Sequence, residues 1–138
     1  MEQEATNYNE PEYFQLRSPN TENGFGYSFA VKIGNHIKAS GAVSMDEQGK
    51  PTAAGDYKQQ MKNCYADIKK MLTYYDCTFD DVIVENVYTT HMSLFLENLE
   101  YRKSLYNENR YPKSTWLGVK ELAMPELMIE IEVEVYKP

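Results

Sequence analysis

The sequence predicts a single α+β domain in which two helices cover one face of a mixed β-sheet. Three observations predict it. From Leu127 to Tyr136 apolar and acidic residues alternate without a break. Strand side chains alternate between faces, so Leu127, Ile129, Ile131, Val133 and Val135 share one face and Glu130, Glu132 and Glu134 the other. From Asp56 to Tyr75 the apolar period lengthens to that of a helix, with Tyr57, Met61, Cys64, Ile68, Met71 and Tyr75 on one face. Gly34-Asn35 joins two extended runs, the signature of a tight hairpin.

Composition sets the bounds. A chain of 138 residues suits one compact domain with its own core. Hydrophobic residues make up 42% and charged residues 25%, ordinary for a globular protein, whereas twelve tyrosines suggest a packed interface or a lined cleft. A formal charge of -7 argues against nucleic acid or an anionic membrane as partner, since both require clustered Lys and Arg. Two cysteines make no disulfide framework and lack metal-ligand spacing. The acidic start Met1-Glu2-Gln3-Glu4 is not followed by an apolar run, so no leader peptide is expected. No stretch has the apolar length of a membrane helix. A soluble cytoplasmic protein is expected.

Taken in order, residues 1–12 are polar and acidic and are expected to form a frayed tail, leaving 13–138 as the domain. Tyr13 to Arg17 reads as a short edge strand closed by Ser18-Pro19-Asn20, and Thr21 to Gly26 as a loop. Tyr27 to Ile33 and His36 to Ser40 are the hairpin strands, the second continuing or bending at Gly41 into Ser44. The long helix follows, with Asp56 as its N-cap. After a polar break at Asp76 to Asp81, Val82 to Thr89 has the composition of a half-buried strand. Ser93 caps a second helix carrying Leu94, Tyr101 and Leu105 on one side as far as about Asn107, and Pro112 bars its continuation. Ser114 to Val119 is a strand, Ala123-Met124-Pro125 a loop, and the acidic alternation the last strand.

Few local motifs carry chemistry. His36 and His91 lack any partner at ligand spacing, so no metal or cofactor is expected. Cys64 falls on the apolar helix face as a structural thiol, and Cys77 lies just past the helix end. Gly24-Phe25-Gly26 lacks the lysine and the following helix of a phosphate loop. Arg102 and Arg110 flank the second helix and read as solvated surface.

Gly26-Tyr27-Ser28, Ile33-Gly34-Asn35, Ser40-Gly41, Asn98 to Tyr101, Pro112, Val119, Leu122 and Ile129-Glu130-Ile131-Glu132 together resemble the RidA/YjgF family of enamine and imine deaminases. The match runs from about Gly24 to Val135. The resemblance implies a chorismate-mutase-like fold assembled as a homotrimer, with the sheets forming an inner barrel and small keto or imino acids bound between subunits. It carries the family's cleft tyrosine onto Tyr27, its helix asparagine onto Asn98 and its water- or substrate-positioning glutamate onto Glu130. The arginine that clamps the substrate carboxylate falls on Ser114.

That departure bears directly on substrate. A carboxylate loses its two-pronged partner, and Lys113 replaces it only if the strand bulges, since a shift of one residue turns the side chain to the other face. Trp116 shares the Ser114 face, where it lines the cleft or fills the barrel core. The sequence therefore supports two readings. One is a hydrolase in which Glu130 activates water, Tyr27 donates a hydrogen bond and backbone near Trp116 holds the substrate. The other is a non-catalytic trimer that binds small molecules. The RNA cleavage attached to some members of the family finds no basic track in this chain.

Overall fold

The computed structural model describes residues 10–18 and 21–138. Six strands form one sheet: β1 (Glu12–Phe14), β2 (Ala30–Ile33), β3 (His36–Ala39), β4 (Val82–Thr89), β5 (Lys113–Gly118) and β6 (Ile129–Tyr136). Four helices accompany them: α1 (Thr21–Phe25), α2 (Tyr57–Tyr74), α3 (Met92–Glu97) and α4 (Leu99–Leu105). The order across the sheet is β1-β2-β3-β6-β4-β5. Every neighbouring pair is antiparallel except β4 and β5, which makes the sheet mixed. The acidic strand β6 lies between β3 and β4, inside the sheet.

The register assigns each side chain to a face. Ile129, Ile131, Val133 and Val135 stand beside Thr89, Val87, Glu85 and Val82 of β4, and Glu85 and Val87 in turn beside Ser114 and Trp116 of β5. This face carries the core. Helix α2 lies on it, with Met61, Cys64, Ile68 and Met71 fully buried, and Cys64 Sγ reaches the Ile129 carbonyl at 3.8 Å. Burying side chains of that size is worth roughly 1.5–3 kcal/mol each and fixes which way the helix faces. Asp56 caps it by accepting a hydrogen bond from Gln59 N–H. Gln60 extends the docking as a fully buried polar residue, accepting from Met128 N–H and donating to the Glu126 carbonyl.

The opposite face carries Glu130, Glu132 and Glu134 with Tyr88 and Asn86 of β4 and Lys38 of β3. No described helix hydrogen-bonds to these side chains, and the three glutamates are half-buried. Their like charges are handled separately. Glu132 accepts from Tyr88 O–H at 2.7 Å and Asn86 Nδ2 at 3.1 Å, Glu134 has Lys38 Nζ at 4.0 Å, and Glu130 faces a cavity.

Several expectations are corrected. Residues 21–25 are helical, because the Glu22 carboxylate accepts the Leu16 and Arg17 N–H groups and folds the segment back on its approach. Strand β1 begins at Glu12, paired with Lys32, one residue before the expected edge strand; residues 1–9 of the expected tail and Pro19-Asn20 of the expected turn lie outside the described residues. The second helix is interrupted at Asn98, its N-cap is His91 rather than Ser93, and it ends at Leu105. Strand β2 starts only at Ala30, and beyond Ala39 the second hairpin strand gives way to two isolated bridges, Ala42 to Ile131 and Met45 to Pro51. Arg102 is the largest departure. It is 5% exposed and ion-paired to Glu85, which is 0% exposed, instead of lying on a solvated surface.

Candidate functional site

Tyr27 and Glu130 come together on the open face. They line a cavity of about 410 Å³ with Ser40, Gly41, Met124 and Glu132 among its walls. Local structure explains both positions. Gly26, at φ +90°, turns the chain out of α1 and donates its N–H to the Glu22 carbonyl, delivering Tyr27 beside Phe25 with ring centroids 6.4 Å apart. The wall behind is pinned by the buried Arg17, whose Nη2 donates to Asp67 at 2.6 Å and to the Met45 carbonyl, and whose Nε donates to the Asp46 carbonyl.

Glu130 is placed by the strand parity of β6 and by Gly41. A Cβ added at Gly41 would stand 1.9 Å from Glu130 Oε2, so the carboxylate occupies space that only glycine leaves open. Glu130 accepts no hydrogen bond and has no ion-pair partner among the described residues. Burial first, and the neighbouring Glu132 charge second, push its carboxyl above the ordinary carboxylate range. Tyr27 is pushed up by burial, then by Glu22, with Glu130 adding to the effect. Tyr88, donating to Glu132, is raised to about 12.

A second polar cluster lies on the helix face. Glu85 Oε1 accepts from Arg102 Nε at 2.7 Å and Ser114 Oγ at 2.6 Å, and Oε2 accepts from Tyr65 O–H at 2.7 Å and Tyr106 O–H at 2.9 Å. Trp116 Nε1 donates to Ser114 Oγ at 2.7 Å. The Arg102 guanidinium lies 5.3 Å from the Tyr106 ring centre and 5.6 Å from that of Trp116. Four donors on one buried carboxylate are what an ion in a desolvated site requires.

The expected site residues thus fall into two groups. Tyr27 and Glu130 share the cavity, whereas Ser114 and Trp116 lie on the other face of the sheet, at its β5 edge. Trp116 is 36% exposed in the single chain and packs on Phe95. Lys113 points opposite to Ser114, because the pairing of β4 and β5 runs without a bulge. Asn98 stands at the break between α3 and α4, its Nδ2 donating to the Leu94 carbonyl at 2.8 Å. Glu85 and Arg102 escaped sequence reasoning. The available signal was an acid in Val82-Ile83-Val84-Glu85-Asn86-Val87 at the parity of Val87 and Thr89, a buried position that calls for donors. Among the described residues no cluster of His, Cys, Asp and Glu is arranged to hold a metal ion.

Residues 18–137 match the family model described as Endoribonuclease L-PSP. The RutC family protein YjgH of Escherichia coli is 29% identical over 106 residues, covering 76% of this chain and 79% of that protein. A 2-iminobutanoate/2-iminopropanoate deaminase of Dermatophagoides farinae is 23% identical over 106 residues, covering 77% and 81%. Among solved structures, a member of the YjgF family from Mycobacterium tuberculosis superposes with a TM-score of 0.77 at 23% identity, covering 93% of this chain and all of that one, and so shares the fold.

Proposed function

Because the chain belongs to the endoribonuclease L-PSP family, the family of the RidA and YjgF proteins, we propose that it binds a small imine, enamine or related keto compound in a cleft between subunits of a homotrimer and hydrolyses the imine or enamine with release of ammonia. The observation that carries this reading is Glu130, a partly desolvated carboxyl on a cavity wall with Tyr27 and, among the described residues, without a cation to neutralise it. A carboxylate so placed stabilises an iminium ion and accepts a proton from water. As the C–O bond forms, Glu130 takes that proton and the iminium becomes a carbinolamine. The protonated Glu130 then returns the proton to nitrogen, ammonia departs as the oxygen lone pair closes the carbonyl, and the hydroxyl proton passes to the ionised Glu130 and from there to solvent. Its raised carboxyl favours this two-way traffic, since a general acid and base works best with a pKa near the working pH. Tyr27 O–H donates to the substrate or to the attacking oxygen.

Support for a cleft between subunits comes from the two-group geometry. Tyr27 and Glu130 lie on one face, and Ser114, Trp116 and Asn98 on or beside the other, so one protomer cannot surround one small ligand with all of them. Leu117 on β5 and Ile33 on β2 are exposed, and among the described residues β5 has a free edge on which a second copy can rest. The relative named as a 2-iminobutanoate/2-iminopropanoate deaminase supports the substrate class. RNA is disfavoured as a substrate, because a phosphate approaching the cavity meets Glu130 and Glu132.

The test is to generate 2-aminoacrylate in situ and follow pyruvate formation. Wild type is expected to accelerate it, and Glu130→Gln to lose roughly 100-fold or more of that acceleration. A wild type without effect removes the hydrolase reading and leaves a binding protein, the alternative favoured by the absence of a guanidinium on β5.

A further inference from the structure

Ser114 removes a guanidinium from β5, yet a guanidinium stands next to it. Arg102 Nε and Ser114 Oγ donate to the same oxygen, Glu85 Oε1, at 2.7 and 2.6 Å. Arg102 is 5% exposed and Nε is the only one of its nitrogens with a hydrogen-bond partner among the described residues. Its two Nη groups, four N–H donors, have none. Such donors, if sealed away from water, would be costly. They are not sealed: among the described residues the one buried side-chain polar atom without a partner is Gln15 Oε1, so the Nη groups reach the surface through the 7% of the side chain that is open.

The rest of the cluster fixes where that fork points. Glu85 holds Nε, and the Tyr106 and Trp116 rings flank the guanidinium at 5.3 and 5.6 Å. Trp116 is itself held by its bond to Ser114 Oγ, so the hydroxyl that replaces the strand arginine serves as part of the mount. A guanidinium restrained in this way loses little rotamer freedom on binding and presents a planar pair of donors. Two coplanar oxygens match it, as a carboxylate provides. Glu85 already offsets one positive charge, which favours a monoanion over a dianionic phosphate.

We infer that Arg102, presented from α4 beside Ser114 and Trp116, is the carboxylate anchor of this protein, so that its ligand is a small keto or imino acid. The inference rests on the proposed cleft and assigns the half of it that Tyr27 and Glu130 do not supply.

The test compares pyruvate with pyruvamide, which has the same keto group and no negative charge, by calorimetric titration. Wild type is expected to bind pyruvate the more tightly. The variant Glu85→Gln/Arg102→Gln, which removes both charges together and leaves no buried ion unpaired, is expected to lose roughly 10- to 100-fold in pyruvate affinity with pyruvamide unchanged. Arg102→Lys keeps the charge and the ion pair without the fork, and is expected to weaken pyruvate selectively as well. Unchanged pyruvate binding in either variant, or equal losses for both ligands, overturns the assignment. A wild type that prefers pyruvamide overturns Arg102 as anchor and leaves the cleft standing. One that binds neither ligand overturns both.

Discussion

At the residue scale, Glu130 and Gly41 are one device. The Gly41 backbone needs no positive φ, so alanine there strains nothing by itself; its Cβ would collide with Glu130 Oε2, 1.9 Å away. Gly41→Ala is therefore expected to fold and to lose roughly 100-fold in imine hydrolysis through displacement of the carboxylate, measured as kcat beside an unchanged far-ultraviolet circular dichroism spectrum. Glu130 also makes a prediction about stability. Its carboxyl is raised in the folded protein, by burial first and by Glu132 second, so its protonated form is the one the fold prefers. That preference is fully expressed below the unfolded carboxyl value, near pH 4, and is lost as pH rises through the folded value. Glu130→Gln should therefore raise the urea midpoint at pH 7, reflecting a gain of about 1 kcal/mol or less in unfolding free energy, and the gain should shrink as the pH is lowered toward 4. A variant less stable at pH 7 would show that the charge is compensated. Loss of activity with gain of stability is the signature expected of a site residue held against its own solvation.

At the element scale, the legible parts of the sequence were those in which one period decides. The alternation of β6, the helical face around Met61, Cys64 and Ile68, and Gly34-Asn35 each led to the observed element, and Val82–Thr89 agrees at both ends. Asp56 was legible for the same local reason, and Asp56→Ala is expected to cost about 1 kcal/mol in urea unfolding with no change in ligand affinity. What escaped notice depends on partners distant in sequence. Helix α1 forms because Glu22 finds the Leu16 and Arg17 N–H groups in the approaching chain, and the loop composition of Thr21 to Gly26 contains no sign of it. Arg102 looked solvated because its partner, Glu85, is on another element. Breaking that pair from one side should show how far α4 depends on β4. Glu85→Ala leaves a buried guanidinium and two tyrosine hydroxyls without their acceptor, and is expected to destabilise by roughly 3–5 kcal/mol in urea unfolding. The double change to glutamine should be much milder. An additive result would mean the two residues do not act as a pair.

At the scale of the whole molecule, the division of the candidate site follows from the sheet itself. Strand parity sends Glu130 to the open face, and the register that pairs Glu85 with Val133 and with Ser114 sends Ser114 and Trp116 to the helix face. No rotamer change carries a side chain through a hydrogen-bonded sheet, so these groups meet around one small molecule only if two chains contribute. In a cyclic homotrimer every site then takes Glu130 from one subunit and Arg102 from its neighbour. Two inactive variants should therefore repair one another. Glu130→Gln trimers and Glu85→Gln/Arg102→Gln trimers, each defective in turnover of an imino acid, are expected to regain activity when dissociated, mixed in equal amounts and reassembled. Random assembly leaves about a quarter of the sites with both native groups, so the mixture should recover about a quarter of the wild-type rate. Gel filtration should show particles of three 16.0 kDa chains before and after mixing. If each site belonged to a single chain, every site in the mixture would keep one defect, and the rate would stay at the mean of the two variants whatever the assembly.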